Sequence, residues 1–173
     1  MPPAGAPGNL GTLTQESAMS FRITALPVEP FAPLFGLSET ELAKQGAVRH
    51  TADRTPGFPC RVSLRDAEPG ETLLLLNFEH LPVDSPYRSS HAIYVIENAR
   101  QVHPEVNEVP DVLRRRLLSL RGFDAAGMMK GADVVDGKAL ESAIEAMFTN
   151  PDIEYLHLHN AKPGCYAARV LRV

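Results

Sequence analysis

The sequence predicts an α+β fold: a single, mostly antiparallel sheet with two or three short helices and a C-terminal β-hairpin. Strand-like apolar runs recur along the 173 residues without the strand-helix alternation that a parallel α/β sheet requires. Helical signals are confined to a few short segments. The chain closes on two strand-like runs, IEYLHLHN and CYAARVLRV, around the turn NAKPG.

Residues 1–19 are rich in Pro, Gly, Ala, Ser and Thr and poor in large apolar residues, so a disordered tail is expected there and one domain over 20–173. Phe21, Ile23 and Ala25 alternate in FRITALP as in a first strand. Ser38 precedes Glu41 by the spacing of a capping box, and Gly46 ends the short helix this starts. AVRHTAD, PCRVSL, ETLLLLNFEH and HAIYVIE read as strands. Leu73 to Leu76 is apolar on both faces, so its strand should be central. Pro110 suits the first turn of a short helix in PDVLRRR, which passes into strand-like LLSLRGF and then MMKGADVV. After the Asp136-Gly137 turn, Leu140, Ile144 and Phe148 fall four apart, marking an amphipathic helix closed before Pro151.

Bulk properties exclude several function classes. A domain of this length buries roughly 70% of its unfolded surface, so a true core is expected. No apolar run approaches the ~20 residues of a membrane span, and MPPAGAPGNL has neither the basic nor the apolar segment of a secretory signal. A cytoplasmic location is expected. Cys60 and Cys165 lie too far apart in sequence for a zinc ribbon and are too few for a disulfide scaffold, so reduced thiols are expected. A net charge of −4 argues against nucleic-acid binding. Arginine supplies 13 of the 17 basic residues, the better choice for holding a carboxylate or phosphate, although codon bias gives the same excess.

Three blocks concentrate reactive side chains. In the hairpin, strand parity puts Ile153, Tyr155, His157 and His159 on one face, and Cys165, Ala167, Arg169 and Leu171 on one face of the return strand. Pairing His159 with Cys165 would set His157 opposite Ala167 and Tyr155 opposite Arg169; a one-residue slip would set Tyr166 opposite His159. Three readings stay open. Cys165 could be a nucleophile beside His159 as general acid or base. His157 and His159 could hold zinc with His80, His91 or Cys165 as third ligand. All could be half-buried sheet residues satisfied by neighbours. In GFPCRVSL, a buried Arg61 would need an anion or a carboxylate such as Glu79 or Asp84. In FEHLPVDSPYRSSHAIYV, Arg88 with the hydroxyls of Tyr87, Ser89 and Ser90 could bind a carboxylate or phosphate, or the loop could be a solvated turn. No glycine-rich phosphate loop, G-x-S-x-G elbow or HExxH motif is present to decide between these uses, and the cofactor is left unknown. Arg114 to Arg116 reads as a solvated helix face, and Met128-Met129 as core filler.

The blocks PGFPCRVSLRDAEPGETLLLLNFEH, DSPYRSSHAIYV, LRGFDAAGMM with ADVVDG, and YLHLHNAKPGCYAARV together resemble the bacterial family catalogued as domain of unknown function 1203, from about Phe21 to the C-terminus. The resemblance implies a small cytoplasmic bacterial protein and carries no activity. The family pattern S-G-P-I-[FY]-V departs here to S-H-A-I-Y-V, which favours a metal site built on His157 and His159 over one relying on His91.

The reading that joins these blocks is a pocket for a small anionic molecule, lined by Arg61, Tyr87, Arg88, His157, Asn160 and Arg169, with His159 and Cys165 as the catalytic pair if it is an enzyme. The alternatives are a non-catalytic partner-binding or structural domain, and a metal-binding protein using the two hairpin histidines.

Overall fold

Eight strands divide between two antiparallel sheets in the computed structural model, which describes residues 19–173. The expected tail over 1–19 falls almost wholly outside these residues. The first sheet orders β1 (Phe21–Thr24), β8 (Tyr166–Arg172), β7 (Tyr155–Asn160), β5 (Leu117–Phe123) and β6 (Met129–Asp136), with β1 and β6 at its edges. The second places β3 (Thr72–Leu81) between β2 (Val48–Thr51) and β4 (Ser89–Ile96). The expectation of a single sheet is therefore corrected to two. β1 pairs with the C-terminal β8 rather than with its successor, and residues 97–116 carry the chain from β4 across to the other sheet. Hairpin neighbours follow from sequence proximity, but nothing local specifies these long-range pairings.

The local signals otherwise produce their elements. At α1 (Glu39–Lys44), Ser38 Oγ accepts from the Glu41 amide and Glu41 Oε2 accepts from the Ser38 amide, closing both halves of the capping box. α2 (Asp111–Arg114) follows Pro110, and α3 (Leu140–Phe148) buries Leu140, Ile144 and Phe148. Arg172 donates to the carbonyls of Phe148, Asn150 and Ile153, tying the last residue of α3 and the turn after it to β8. PCRVSL is not a strand: Pro59 and Cys60 form single bridges, to Asp66 and Tyr94, and the chain then turns through Leu64 at a φ of 45°.

Two aliphatic cores result. α3, α2 and one face of the first sheet enclose Leu118, Leu120, Leu156, Leu158 and Val170. Residues 26–47 and 58–67 cover the second sheet around Leu73, Leu74, Ile93 and Val95. As expected, β3 is central. β7 is buried at every position, because its leucines enter the first core while Tyr155, His157 and His159 face the second sheet.

Two β-bulges shape that interface. Glu79 pairs with Ser90 and Leu81 with Ser89, so His80 is an extra residue on β3; Leu158 pairs with Ala168 and His159 with Tyr166, so Ala167 is extra on β8. A bulge re-aims neighbouring side chains and increases local twist. Its effect on the hairpin is that neither uniform register occurs: Tyr166 stands opposite His159, but Arg169 stands opposite His157 and Leu171 opposite Tyr155.

Candidate functional site

Between the two aliphatic cores lies a layer of histidine and aromatic rings. β3 supplies His80, β4 His91, β7 His157 and His159, and β8 Tyr166. His80 lies near-parallel to both neighbours, 4.8 Å from His91 and 4.9 Å from Tyr166 between ring centroids. Its Nε2 is 2.7 Å from His91 Nδ1, and its Nδ1 is 3.3 Å from His157 Nδ1. His159 meets His80 and His91 edge-on at 5.0 and 5.2 Å.

The hairpin loop sets the His159 tautomer. Asn160 N donates to the Cys165 carbonyl and Gly164 N to the Asn160 carbonyl, with Gly164 at a φ of 77° that suits its lack of a side chain. This places the Gly164 carbonyl 2.9 Å from His159 Nδ1. A carbonyl only accepts, so Nδ1 carries the proton. His159 Nε2 is left buried and without a hydrogen-bond partner among the described residues, as is Asn160 Oδ1.

Burial holds these imidazoles neutral. Desolvation, helped by the His91 ring and the Arg121 cation, pushes His80 down to about 4. Desolvation pushes His159 to about 3, against the opposing bond to Gly164, and His157 to about 2, where His80 and His159 add to it. His91 is shifted down by desolvation and then by Arg121 and Arg61. Arg121 stands opposite His157 on β5, and among the described residues its guanidinium hydrogen-bonds only Ser119 Oγ, at 3.4 Å.

Beside this layer a cleft of about 660 Å³ opens between the sheets. His91 and Tyr94 of β4 form one wall; Arg61, Arg115, Arg116, Asn160, Lys162 and Cys165 form much of the remainder. Arg61 is 2% exposed, yet it has no carboxylate partner among the described residues. Its Nε donates to the Tyr166 carbonyl at 2.7 Å, Nη1 to the Pro59 carbonyl, and Nη2 to Cys165 Sγ at 2.9 Å. Desolvation pushes its pKa down from the ordinary arginine value. The ion pair expected with Glu79 or Asp84 is absent: Glu79 binds Arg88 instead, 2.6 Å away at the surface.

The residues singled out from the sequence thus divide by location. Arg61, Asn160 and Cys165 meet in the cleft. His157 and His159 lie behind it among the rings. Tyr87 packs edge-on against Phe123, and Arg169 covers the Tyr155 ring at 4.0 Å. Arg88 is exposed beside Glu79. Cys165 Sγ takes its hydrogen bonds from Arg61 and Asn160, so neither of these partners is a base that could take its proton. The arginine run, expected as a solvated face, instead places Arg115 and Arg116 on the cleft wall, where Lys162 joins them, and no sequence motif marks Lys162 or Arg121. The run itself was the available signal, because α2 ends at Arg114 and turns Arg115 and Arg116 towards the cleft.

Comparison with known families gives a match to the family described as "Protein of unknown function (DUF1203)", whose model covers residues 57–172. No curated protein and no solved structure matches the chain.

Proposed function

For a chain that belongs to the DUF1203 family, we propose that the domain binds a small anionic molecule, a carboxylate or phosphate compound, in the cleft between its sheets. The observation that carries this reading is charge segregation. The chain is acidic, with 21 carboxylate side chains against 17 basic ones, yet among the described residues the cleft wall holds Arg61, Arg115, Arg116 and Lys162 and no carboxylate. Arg116 is neutralised by a bidentate pair with Asp66, at 2.5 and 3.0 Å. Among the described residues, Arg115 has only a 3.8 Å contact with exposed Asp111, and Arg61 has no anionic partner. A buried cation without a counter-charge is costly, and an anion entering the cleft would offset that cost. Desolvated arginines bind carboxylates and phosphates through strong charge-assisted hydrogen bonds.

The role of Cys165 in this reading is to hold Arg61 and to line the wall, since thiol chemistry would need a base at Sγ. Thermal-shift and calorimetric titration with inorganic phosphate, citrate and sugar phosphates tests the proposal; a ligand at 100 times its Kd stabilises by ~2.7 kcal/mol. Binding should weaken with salt and fall about tenfold or more in Arg115→Ser/Lys162→Ser, as expected when charge-assisted contacts are lost. No stabilisation by any of these anions, or affinity unchanged in the double variant, overturns it.

A further inference from the structure

We propose that His80, His91 and His159 form a binding site for one divalent transition-metal ion of the zinc class. Each offers one ring nitrogen, and the three atoms lie within 4.8 Å of one another. Zinc-nitrogen bonds of ~2.0–2.1 Å at tetrahedral angles place ligand nitrogens roughly 3.4 Å apart. The closest pair, His80 Nε2 and His91 Nδ1, stands at 2.7 Å, so closure about an ion needs ring movements of the order of 1 Å. In the metal-free chain that spacing is an N–H···N hydrogen bond between two neutral imidazoles, which an ion would replace.

His159 supplies the independent observation. Its ring is fully buried, its Nδ1–H is held by the Gly164 carbonyl, and its Nε2 lone pair has no hydrogen-bond partner among the described residues. A histidine whose far nitrogen donates to a backbone carbonyl is oriented as metal ligands are. A buried acceptor left unpaired costs free energy that coordination would recover. His157 has the corresponding relation to His80: the Nδ1 atoms meet at 3.3 Å, leaving Nε2 of His80 for the ion.

The donor set narrows the ion. Three imidazoles with no thiolate and no carboxylate suit zinc, cobalt, nickel or copper rather than magnesium or calcium. Three protein ligands also leave a coordination position open, as in sites where the ion meets a small ligand. The groups facing the trio are cationic or neutral: Arg121 and Arg61, with Tyr166 against His80 and Arg169 one step further out beside His157. These cations disfavour a bare dication and favour one carrying an anion in its open position. His91 lies on the cleft wall, so the ion and the cleft share a boundary, although the metal site stands on its own geometry.

The test uses the full chain without an affinity tag, stripped with a chelator and dialysed against zinc or cobalt chloride. One ion per chain is expected, with visible d–d bands for cobalt. His91→Asn and His80→Asn should each weaken zinc binding by about 100-fold or more, since even outer-shell changes cost 10–100-fold. His103→Asn, in a loop lining a different cavity, should leave it unchanged. His91 is only partly buried, so its variant tests the site even if His80→Asn does not fold. The proposal is overturned if no stoichiometric ion binds, if His91→Asn keeps full affinity, or if His103→Asn loses it. Arg115→Ser/Lys162→Ser should retain zinc while losing phosphate, so failure of the metal site is read separately from failure of the anion cleft.

Discussion

Lowering the pH from about 8 to about 5 should destabilise the metal-free protein by several kcal/mol, before most carboxylates begin to titrate. The ordinary histidine value is 6.5, while burial holds His80 at about 4, His159 at about 3 and His157 at about 2 in the folded chain. Below 6.5 the unfolded chain therefore binds protons that the folded chain excludes. The stability these groups contribute is fully present above 6.5 and is lost as the pH falls towards their folded values. At about pH 5 an unfolded histidine with a pKa of 6.5 gains roughly 1.5 pH units of protonation free energy, about 2 kcal/mol. Three such groups give about 6 kcal/mol, a large part of the 5–15 kcal/mol that typically holds a domain together. Carboxylates hold a different window: Glu71, pulled down to about 2 mainly by Arg65, loses its contribution only below its ordinary 4.5. Urea unfolding across a pH series, with chelator present, measures the effect. The slope of stability against pH, divided by about 1.4 kcal/mol per proton, should approach three protons taken up on unfolding near pH 5. His159→Asn should remove about one of them. An uptake below one proton in the parent chain would refute the neutral-cluster account.

Further outcomes follow from single contacts. A Cβ at Gly137 would lie 2.0 Å from the Leu113 carbonyl oxygen, so Gly137→Ala should cost about 2 kcal/mol or more by urea midpoint as β6, α2 and α3 are forced apart. Ser38→Ala removes the N-cap of α1 and should cost about 1 kcal/mol in the same assay. His157→Phe keeps a ring in the layer but removes the partner of His80 Nδ1, so zinc affinity should fall about 10–100-fold while His159 keeps its bond to Gly164. Arg61→Met replaces a buried cation that has no carboxylate partner among the described residues; phosphate binding should be lost in calorimetry while the melting temperature stays level or rises.

Much of the fold is legible in local pattern. Strand parity put Tyr155, His157 and His159 on one face, the four-residue spacing of Leu140, Ile144 and Phe148 marked α3, and Ser38 with Glu41 marked the start of α1. These are properties of segments a few residues long, where side-chain period and backbone hydrogen bonds decide the outcome. The blocks carrying Arg61, Asn160 and Cys165 were also visible as concentrations of polar side chains in an aliphatic chain.

The tertiary structure decided which of those side chains meet. The chain forms two sheets because β2, β3 and β4 pair only with one another while β1 crosses to β8, a contact spanning nearly the whole described chain, and no local signal encodes such pairings. Bulges at His80 and Ala167 changed the facing residues by one position, and period-2 alternation carries no record of an inserted residue. By those means His80, His91 and His159 became one cluster, and Arg115, Arg116 and Lys162 joined Arg61 and Cys165 around one cleft. The sequence by itself determined the faces of the strands and the stock of reactive groups; the packing of one sheet against the other determined which groups share a site.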